Sequence, residues 1–333
     1  MPRLTLVQAL NRALTHAMAA DPSILVIGEE VAGGAGADGA RGEEGGAFGV
    51  TRGLYAQFGP ERVIDTPISE AALVGLAAGA AACGLRPVLD LMFADFVGTG
   101  FDPILNGLTQ APALYDRPMP VVLRMAYGAG DASGAQHSQA LHALLTHLPD
   151  LLVLMPATPA DAEGLLLAAL GQDRPVALLE HKALYQEAGD CPETPVLLPL
   201  ARARQVCAGA DVTVLATGLM AVRAAAAAQT LAAAGIALDL LDLRGCRPLD
   251  EAAILASLAK TGRLLVVDEG RPRCGFGADL IAWAAIHGFA DLRAAPRLLA
   301  PPDTPVPFAP ALETAWLPDA AVIAAAARAL MAA

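Results

Sequence analysis

Short apolar runs alternate with longer helical periods along the whole chain. Ser23-Ile24-Leu25-Val26-Ile27, Pro87-Val88-Leu89-Asp90-Leu91-Met92, Pro120-Val121-Val122-Leu123-Arg124, Leu151-Leu152-Val153-Leu154-Met155 and Pro175-Val176-Ala177-Leu178-Leu179 carry apolar residues at successive positions. That pattern fits strands buried on both faces of a parallel sheet. Helix-length segments separate them, at 5–19, 70–83, 101–114, 138–147 and 159–171. Thr158-Pro159, with Asp161 and Glu163 following, reads as a capped helix start with negative charge in its first turn. The β-α-β-α order predicts an α/β fold with a mostly parallel sheet covered on both faces.

The alternation lapses after Glu187 and restarts at Val212-Thr213-Val214-Leu215-Ala216. We therefore expect a first domain over 1–187, a linker over 188–208 and a smaller α/β domain over 209–333. In the second domain strands are expected at 212–216, 237–241, 264–267 and 296–299, and helices at 219–234, 250–259, 276–287 and 320–332.

The chain has 333 residues, comfortable for two domains. Its 22 Lys and Arg against 34 Asp and Glu give a net charge of −12, which argues against a nucleic-acid partner. Although 55% of the residues are apolar, no uninterrupted apolar run reaches the roughly 18 residues of a membrane span. The amino terminus shows no secretory signal pattern, so a cytoplasmic location is expected. Five scattered cysteines without a C-x-x-C pair indicate neither a disulfide framework nor a zinc site.

Several nucleotide and hydrolase chemistries fail on motif. The glycines from Gly33 to Gly39 follow a strand but lead into Arg41-Gly42-Glu43-Glu44 and not into a helix, and Gly128-Ala129-Gly130-Asp131 lacks the third glycine. No phosphate-binding G-x-x-x-x-G-K-[ST] or G-x-S-x-G elbow occurs. His137, His142 and His147 are five apart, which spreads them around a helix instead of converging them on a metal. His142 and His147 read as partly exposed helix or loop histidines. His137, in the loop after the strand at 120–125, stands where parallel sheets place their sites. Glu70 opens a helix with nothing else polar through Ala82, which predicts a helix buried all round. There it is either an acid stabilised by the helix dipole or a partly desolvated proton-transfer group.

Arg62-Val63-Ile64-Asp65-Thr66-Pro67-Ile68-Ser69-Glu70, Gly84-Leu85-Arg86-Pro87-Val88, Phe93-Ala94-Asp95-Phe96, Gln136-His137-Ser138-Gln139 and Asp242-Leu243-Arg244 with Pro248-Leu249-Asp250 occur in this order over nearly the whole chain. Together they resemble the β subunit of the thiamin-diphosphate-dependent first component of 2-oxo acid dehydrogenase complexes. Gly28-Glu29-Glu30-Val31, Leu91-Met92-Phe93, Glu180-His181-Lys182 and Arg271-Pro272-Arg273-Cys274 are similar to its acetoin dehydrogenase branch.

The resemblance implies a transketolase-like pyrimidine-binding domain followed by a smaller C-terminal α/β domain. It implies thiamin diphosphate shared with an α subunit that holds the diphosphate and magnesium, an α2β2 assembly, and a dihydrolipoyl acyltransferase partner. Glu70 matches the glutamate that hydrogen-bonds the aminopyrimidine and favours its imino form. Phe96 matches the aromatic that stacks on that ring, Met92 is a cofactor-binding position where many relatives carry Gln, and Glu29 matches an acidic residue of a water channel. His137 matches a histidine that exchanges a proton near the substrate. The implied reaction is cleavage of acetoin to acetaldehyde with transfer of the acetyl unit. Oxidative decarboxylation of pyruvate or a branched-chain 2-oxo acid is the alternative, and a non-catalytic scaffold subunit is the reading from another class. Asp102-Pro103, the short loop at 109–118 and Gln172-Asp173-Arg174 depart from the usual pattern, the last at a position where relatives help hold potassium.

Overall fold

The computed structural model describes residues 1–33 and 45–332. The glycine-rich run beyond Gly33 lies outside the described residues. The chain divides into two compact units, the first Met1–Tyr127 with Leu145–Leu200 and the second Gly128–Leu144 with Ala201–Ala333.

In the first unit the order is β1 (Arg3–Thr5), α1 (Leu6–Ala20), β2 (Ile24–Gly28), α2 (Leu54–Phe58), β3 (Val63–Asp65), α3 (Glu70–Ala82), β4 (Arg86–Phe93), α4 (Ala111–Tyr115) and β5 (Val122–Tyr127). After the segment that belongs to the second unit come β6 (Leu152–Leu154), α6 (Pro159–Leu170), β7 (Val176–His181) and β8 (Ala188–Asp190). The strands lie in the order β6-β7-β5-β4-β2-β3, every neighbouring pair parallel, as the apolar runs predicted.

Thr5 starts α1 with a reciprocal box: the Gln8 N–H donates to Thr5 Oγ1 at 3.2 Å, and the Thr5 N–H donates to Gln8 Oε1 at 2.9 Å. Leu6, Ala9, Leu10, Ala13, Leu14, Ala17 and Met18 form the buried stripe at helical spacing. On α6, Thr158 caps the helix and Pro159 takes the first turn. Gly164 lets the chain near Leu198 close in, since a Cβ there would stand 2.8 Å from the Val196 carbonyl oxygen.

Three expectations are corrected. The region 101–114 is not one helix: a wide π-type turn over Pro103–Thr109 precedes α4, and Pro112 lacks the N–H that a continuous ladder would need there. Within 138–147 only His142–Thr146 (α5) is helical. The third concerns α3, which is buried on one side only. Leu73, Val74, Ala77 and Ala81 face the core, whereas Ala71, Ala72, Gly75, Leu76 and Gly79 are exposed, with Leu76 at 50% and the preceding Ile68 at 80%. Among the described residues nothing covers that side. Ala188–Asp190, in the stretch read as a linker, pairs antiparallel with β1.

The second unit holds β9 (Arg204–Cys207), β10 (Val212–Ala216), α7 (Gly218–Ala232), β11 (Leu238–Asp242), β12 (Gly245–Arg247), α8 (Glu251–Thr261), β13 (Leu264–Val267), α9 (Phe276–His287), β14 (Arg297–Leu299), α10 (Pro310–Trp316) and α11 (Ala320–Met331). Its five-stranded sheet runs β14-β13-β10-β11-β9, parallel except for β9 at the edge. No helix among the described residues is long and apolar enough to cross a membrane.

Candidate active site

In the first unit the chain leaves β2 for β3 on one side, then crosses to β4 on the other. Such a switch point opens a crevice at the carboxyl ends of the strands. A pocket lies there, lined by Glu29, Phe48, Asp90, Met92, Arg124 and Tyr185 among others. Gly28 allows β2 and β4 to approach at its floor: a Cβ would stand 2.8 Å from the Asp90 carbonyl oxygen and 2.9 Å from the Asp90 Cβ.

Met92 has φ 59°, in the left-handed region that costs a side chain on the order of 1–3 kcal/mol. The register between β4 and β5 shifts between Asp90 and Phe93, so Met92 sits at a bulge of the kind that re-aims side chains beside sites. Asp90 secures that turn, Oδ1 accepting the Met92 N–H at 2.9 Å.

Two lining residues, Asp90 and Arg124, join the buried Glu180 in a charged cluster on three neighbouring strands. Arg124 is 2% exposed. Its Nε donates to Glu180 Oε1 at 2.7 Å, Nη2 to Glu180 Oε2 at 2.6 Å and Nη1 to Asp90 Oδ2 at 2.8 Å. Burial opposes the guanidinium charge, but the charges of Glu180 and Asp90 outweigh it and hold the Arg124 pKa above its ordinary value. The Tyr185 hydroxyl donates to Glu180 Oε2 at 2.9 Å. Burial, with the Glu180 charge, pushes the Tyr185 phenol well up, so it stays protonated. These residues were missed at the level of sequence, though a signal existed: Asp90 and Arg124 interrupt strands that are otherwise apolar, and a buried charge needs a partner.

Phe96 belongs to a linked aromatic series. Its ring centroid is 5.9 Å from that of Phe93, Phe93 is 5.4 Å from Phe48, and Phe48 is 4.9 Å from Tyr185. Lys182 Nζ lies 5.3 Å from the Phe93 centroid, within cation–π range.

Glu70 is the first residue of α3 and is 9% exposed. The Ser69 side chain makes no cap bond. Among the described residues the Glu70 carboxylate accepts no hydrogen bond and forms no ion pair, so the helix dipole is its local stabiliser. The turn carrying Phe96 packs on the same end of α3: the Gly100 N–H donates to the Phe96 carbonyl at 3.3 Å, and a Cβ at Gly100 would lie 3.5 Å from the Glu70 carbonyl oxygen. Burial pushes the Glu29 carboxyl up, and the charges of Glu70, Glu30 and Asp90 push the same way. Glu29, Glu70, Met92 and Phe96 thus gather in one region of the first unit.

His137 lies on the segment Gly128–Leu144, which clusters with the second unit. Carboxylates of that unit hold the segment. Glu269 Oε1 accepts the Ala129 N–H at 2.7 Å, and the two oxygens of Glu313 accept those of Gly130 and Ala132, each at 2.9 Å. At the other end His142 Nε2 is 2.9 Å from Asp268 Oδ1. His142 is fully buried, which corrects its reading as a partly exposed histidine: its partner lies 126 residues away, beyond any local pattern. Burial would lower the His142 pKa, but the Asp268 charge and hydrogen bond raise it overall. Asp268 is depressed in turn: burial opposes its charge, but His142 and the N–H groups of Gly270 and Gly277 outweigh that.

Two family models match the chain, Transketolase, pyrimidine binding domain over residues 3–187 and Transketolase, C-terminal domain over residues 201–323. The β subunit of acetoin:2,6-dichlorophenolindophenol oxidoreductase from Cupriavidus necator is 47% identical over 99% of this chain and 98% of that protein. The Bacillus subtilis protein of the same description is 44% identical over 95% of this chain and 93% of its own length. The 2-oxoisovalerate dehydrogenase β subunit of Bacillus subtilis is 36% identical over 99% of both chains. Among solved structures, a split-gene transketolase described as an inactive beta4 tetramer superposes with TM-score 0.78 at 23% identity, covering 99% of this chain and 98% of that one.

Proposed function

The chain belongs to the family of β subunits built from a transketolase pyrimidine-binding domain and a transketolase C-terminal domain, and from that premise we propose that it is the β subunit of a thiamin-diphosphate-dependent acetoin dehydrogenase. It works with an α subunit in the cytoplasm, cleaves acetoin to acetaldehyde and passes the acetyl unit to a lipoyl acyltransferase. Identities of 47% and 44% to acetoin oxidoreductase subunits, against 38% to a rice pyruvate dehydrogenase E1 β subunit and 36% to the 2-oxoisovalerate enzyme, favour acetoin. Pyruvate or a branched-chain 2-oxo acid is the second reading.

The observation that carries the proposal is Glu70, a buried carboxyl with no partner among the described residues. That donor set fits an aminopyrimidine: Glu70 shares a proton with a ring nitrogen, while Phe96 and Met92 offer apolar surface to the ring. Thiamin diphosphate, when bound, supplies a nucleophilic carbon for breaking a bond next to a carbonyl. Glu29 brings to the pocket a carboxyl whose pKa is raised by burial and by the neighbouring acidic groups, suited to relaying a proton. His137 gives and takes a proton at the substrate hydroxyl. The diphosphate and magnesium fall to the α subunit, and the exposed apolar side of α3 supports a partner chain.

The test is co-expression with an α subunit and assay of acetoin-dependent reduction of 2,6-dichlorophenolindophenol with added thiamin diphosphate. Glu70→Ala is expected to lose on the order of 10²–10⁴ in rate. A variant as fast as wild type overturns the role of Glu70, and faster turnover of pyruvate than of acetoin overturns the substrate. An assembled complex inactive on all of these substrates would favour the scaffold reading.

A further inference from the structure

The segment from Gly128 to Gly134 folds against local preference. Gly128, Gly130, Ala132 and Gly134 have φ of 91°, 129°, 58° and 75°. For Ala132, which carries a Cβ, the left-handed conformation is unfavourable and persists only where surroundings over-determine it. Glu313 provides that surrounding. It is 3% exposed on α10, and each of its carboxylate oxygens takes one backbone N–H of this turn, from Gly130 and from Ala132. Two acceptors fixed to one carbon fix the spacing of two donors two residues apart, and the bonds are charge-assisted.

Further contacts join the clamped turn to His137. Between the clamped residues Asp131 Oδ2 accepts the Ser133 hydroxyl at 2.8 Å. Gly134 lies under Phe308, where a Cβ would come within 2.7 Å of Phe308 Cδ2. The His137 N–H donates to the Gly134 carbonyl at 3.2 Å. Beyond His137 the bond between His142 and Asp268 holds the other end.

We infer that Glu313 is a positioning residue for the reaction: its carboxylate clamps the turn 130–132 and so sets the place from which His137 exchanges its proton. The inference rests on the role given to His137 above. Glu313 does not touch substrate; its effect runs through the backbone of the clamped turn. A misplacement of about 1 Å at a reacting group can cost on the order of 10²-fold in rate.

The experiment is a double-mutant cycle in the complex with the α subunit, using Glu313→Gln, His137→Ala and the double variant, with amide hydrogen exchange of the 128–137 peptide alongside. Glu313→Gln turns an acceptor into an amide that faces an N–H. It is expected to lower kcat about 10- to 100-fold with the acetoin KM within about twofold. The double variant is expected to be no slower than His137→Ala, and the amides of Ala129–Ser133 to exchange at least about tenfold faster. Glu313→Gln at the wild-type kcat, a loss that multiplies in full with that of His137→Ala, or unchanged exchange would each overturn the inference while leaving the acetoin reading in place. His137→Ala at the wild-type rate would instead remove the assigned role of His137 and this inference with it. If Glu313→Gln fails to fold, Glu313→Asp, which keeps both acceptors but withdraws them by one methylene, is read by the same cycle.

Discussion

Arg124 and Glu180 meet as a fork against a carboxylate, each oxygen of Glu180 taking one guanidinium N–H, at 2.7 and 2.6 Å, with both residues buried. The pair joins two neighbouring strands at the pocket wall and leaves a third guanidinium nitrogen for Asp90. A buried pair is costly to break one partner at a time. Arg124→Leu is therefore expected to lose roughly 3–5 kcal/mol of stability, read by urea unfolding. Arg124→Lys, which cannot fork, is expected to recover only part of it.

Gly28 lets β2 and β4 come close where Glu29 and Asp90 face the pocket. Gly28→Ala drives a methyl into the Asp90 backbone and is expected to cost about 1–3 kcal/mol. The same displacement moves Glu29 and Met92, so thermal shift and activity should fall together. A Tm within one degree of wild type would refute the close approach.

The buried pair of His142 and Asp268 makes stability depend on pH. His142 is raised in the fold, so its contribution is complete below the unfolded histidine value of about 6.5 and is lost as the pH rises through the folded value. Asp268 is depressed, so its contribution is complete above about 3.9 and is lost as the pH falls through its folded value. Glu269, which also faces His142, adds to the first effect. His142→Gln should flatten the decline of Tm between pH 6 and pH 9; an unchanged slope would show that another group sets it.

The exposed side of α3 offers a test of assembly. Leu76 stands out from a helix with no polar residue after Glu70, and Ile68, just before that helix, is exposed as well. Leu76→Glu leaves the buried side untouched, so the isolated chain should keep its thermal stability. On size-exclusion chromatography with the α subunit, the variant should elute as separate chains where wild type elutes as a complex.

The alternation of apolar runs and helical periods determined the α/β layout, since strands buried on both faces and helices with one apolar stripe are local patterns. Glu70 was legible as the lone acid of an apolar helix, and the family as a series of ordered motifs. What the sequence could not assign was partnership across distance. Asp90, Arg124 and Glu180 are separated by 34 and 56 residues and meet only because β4, β5 and β7 lie side by side. His142 and Asp268, and Glu313 with the turn at Gly130, join across 126 and 183 residues. A hydrogen bond is decided by a few tenths of an ångström in space, and periodicity constrains only which face of its own element a residue occupies. The strands and most of the helices were therefore written in the sequence, whereas the breaks at 101–114 and 138–147, the clamp on the loop of His137 and the buried charges behind the pocket exist only once the chain has folded.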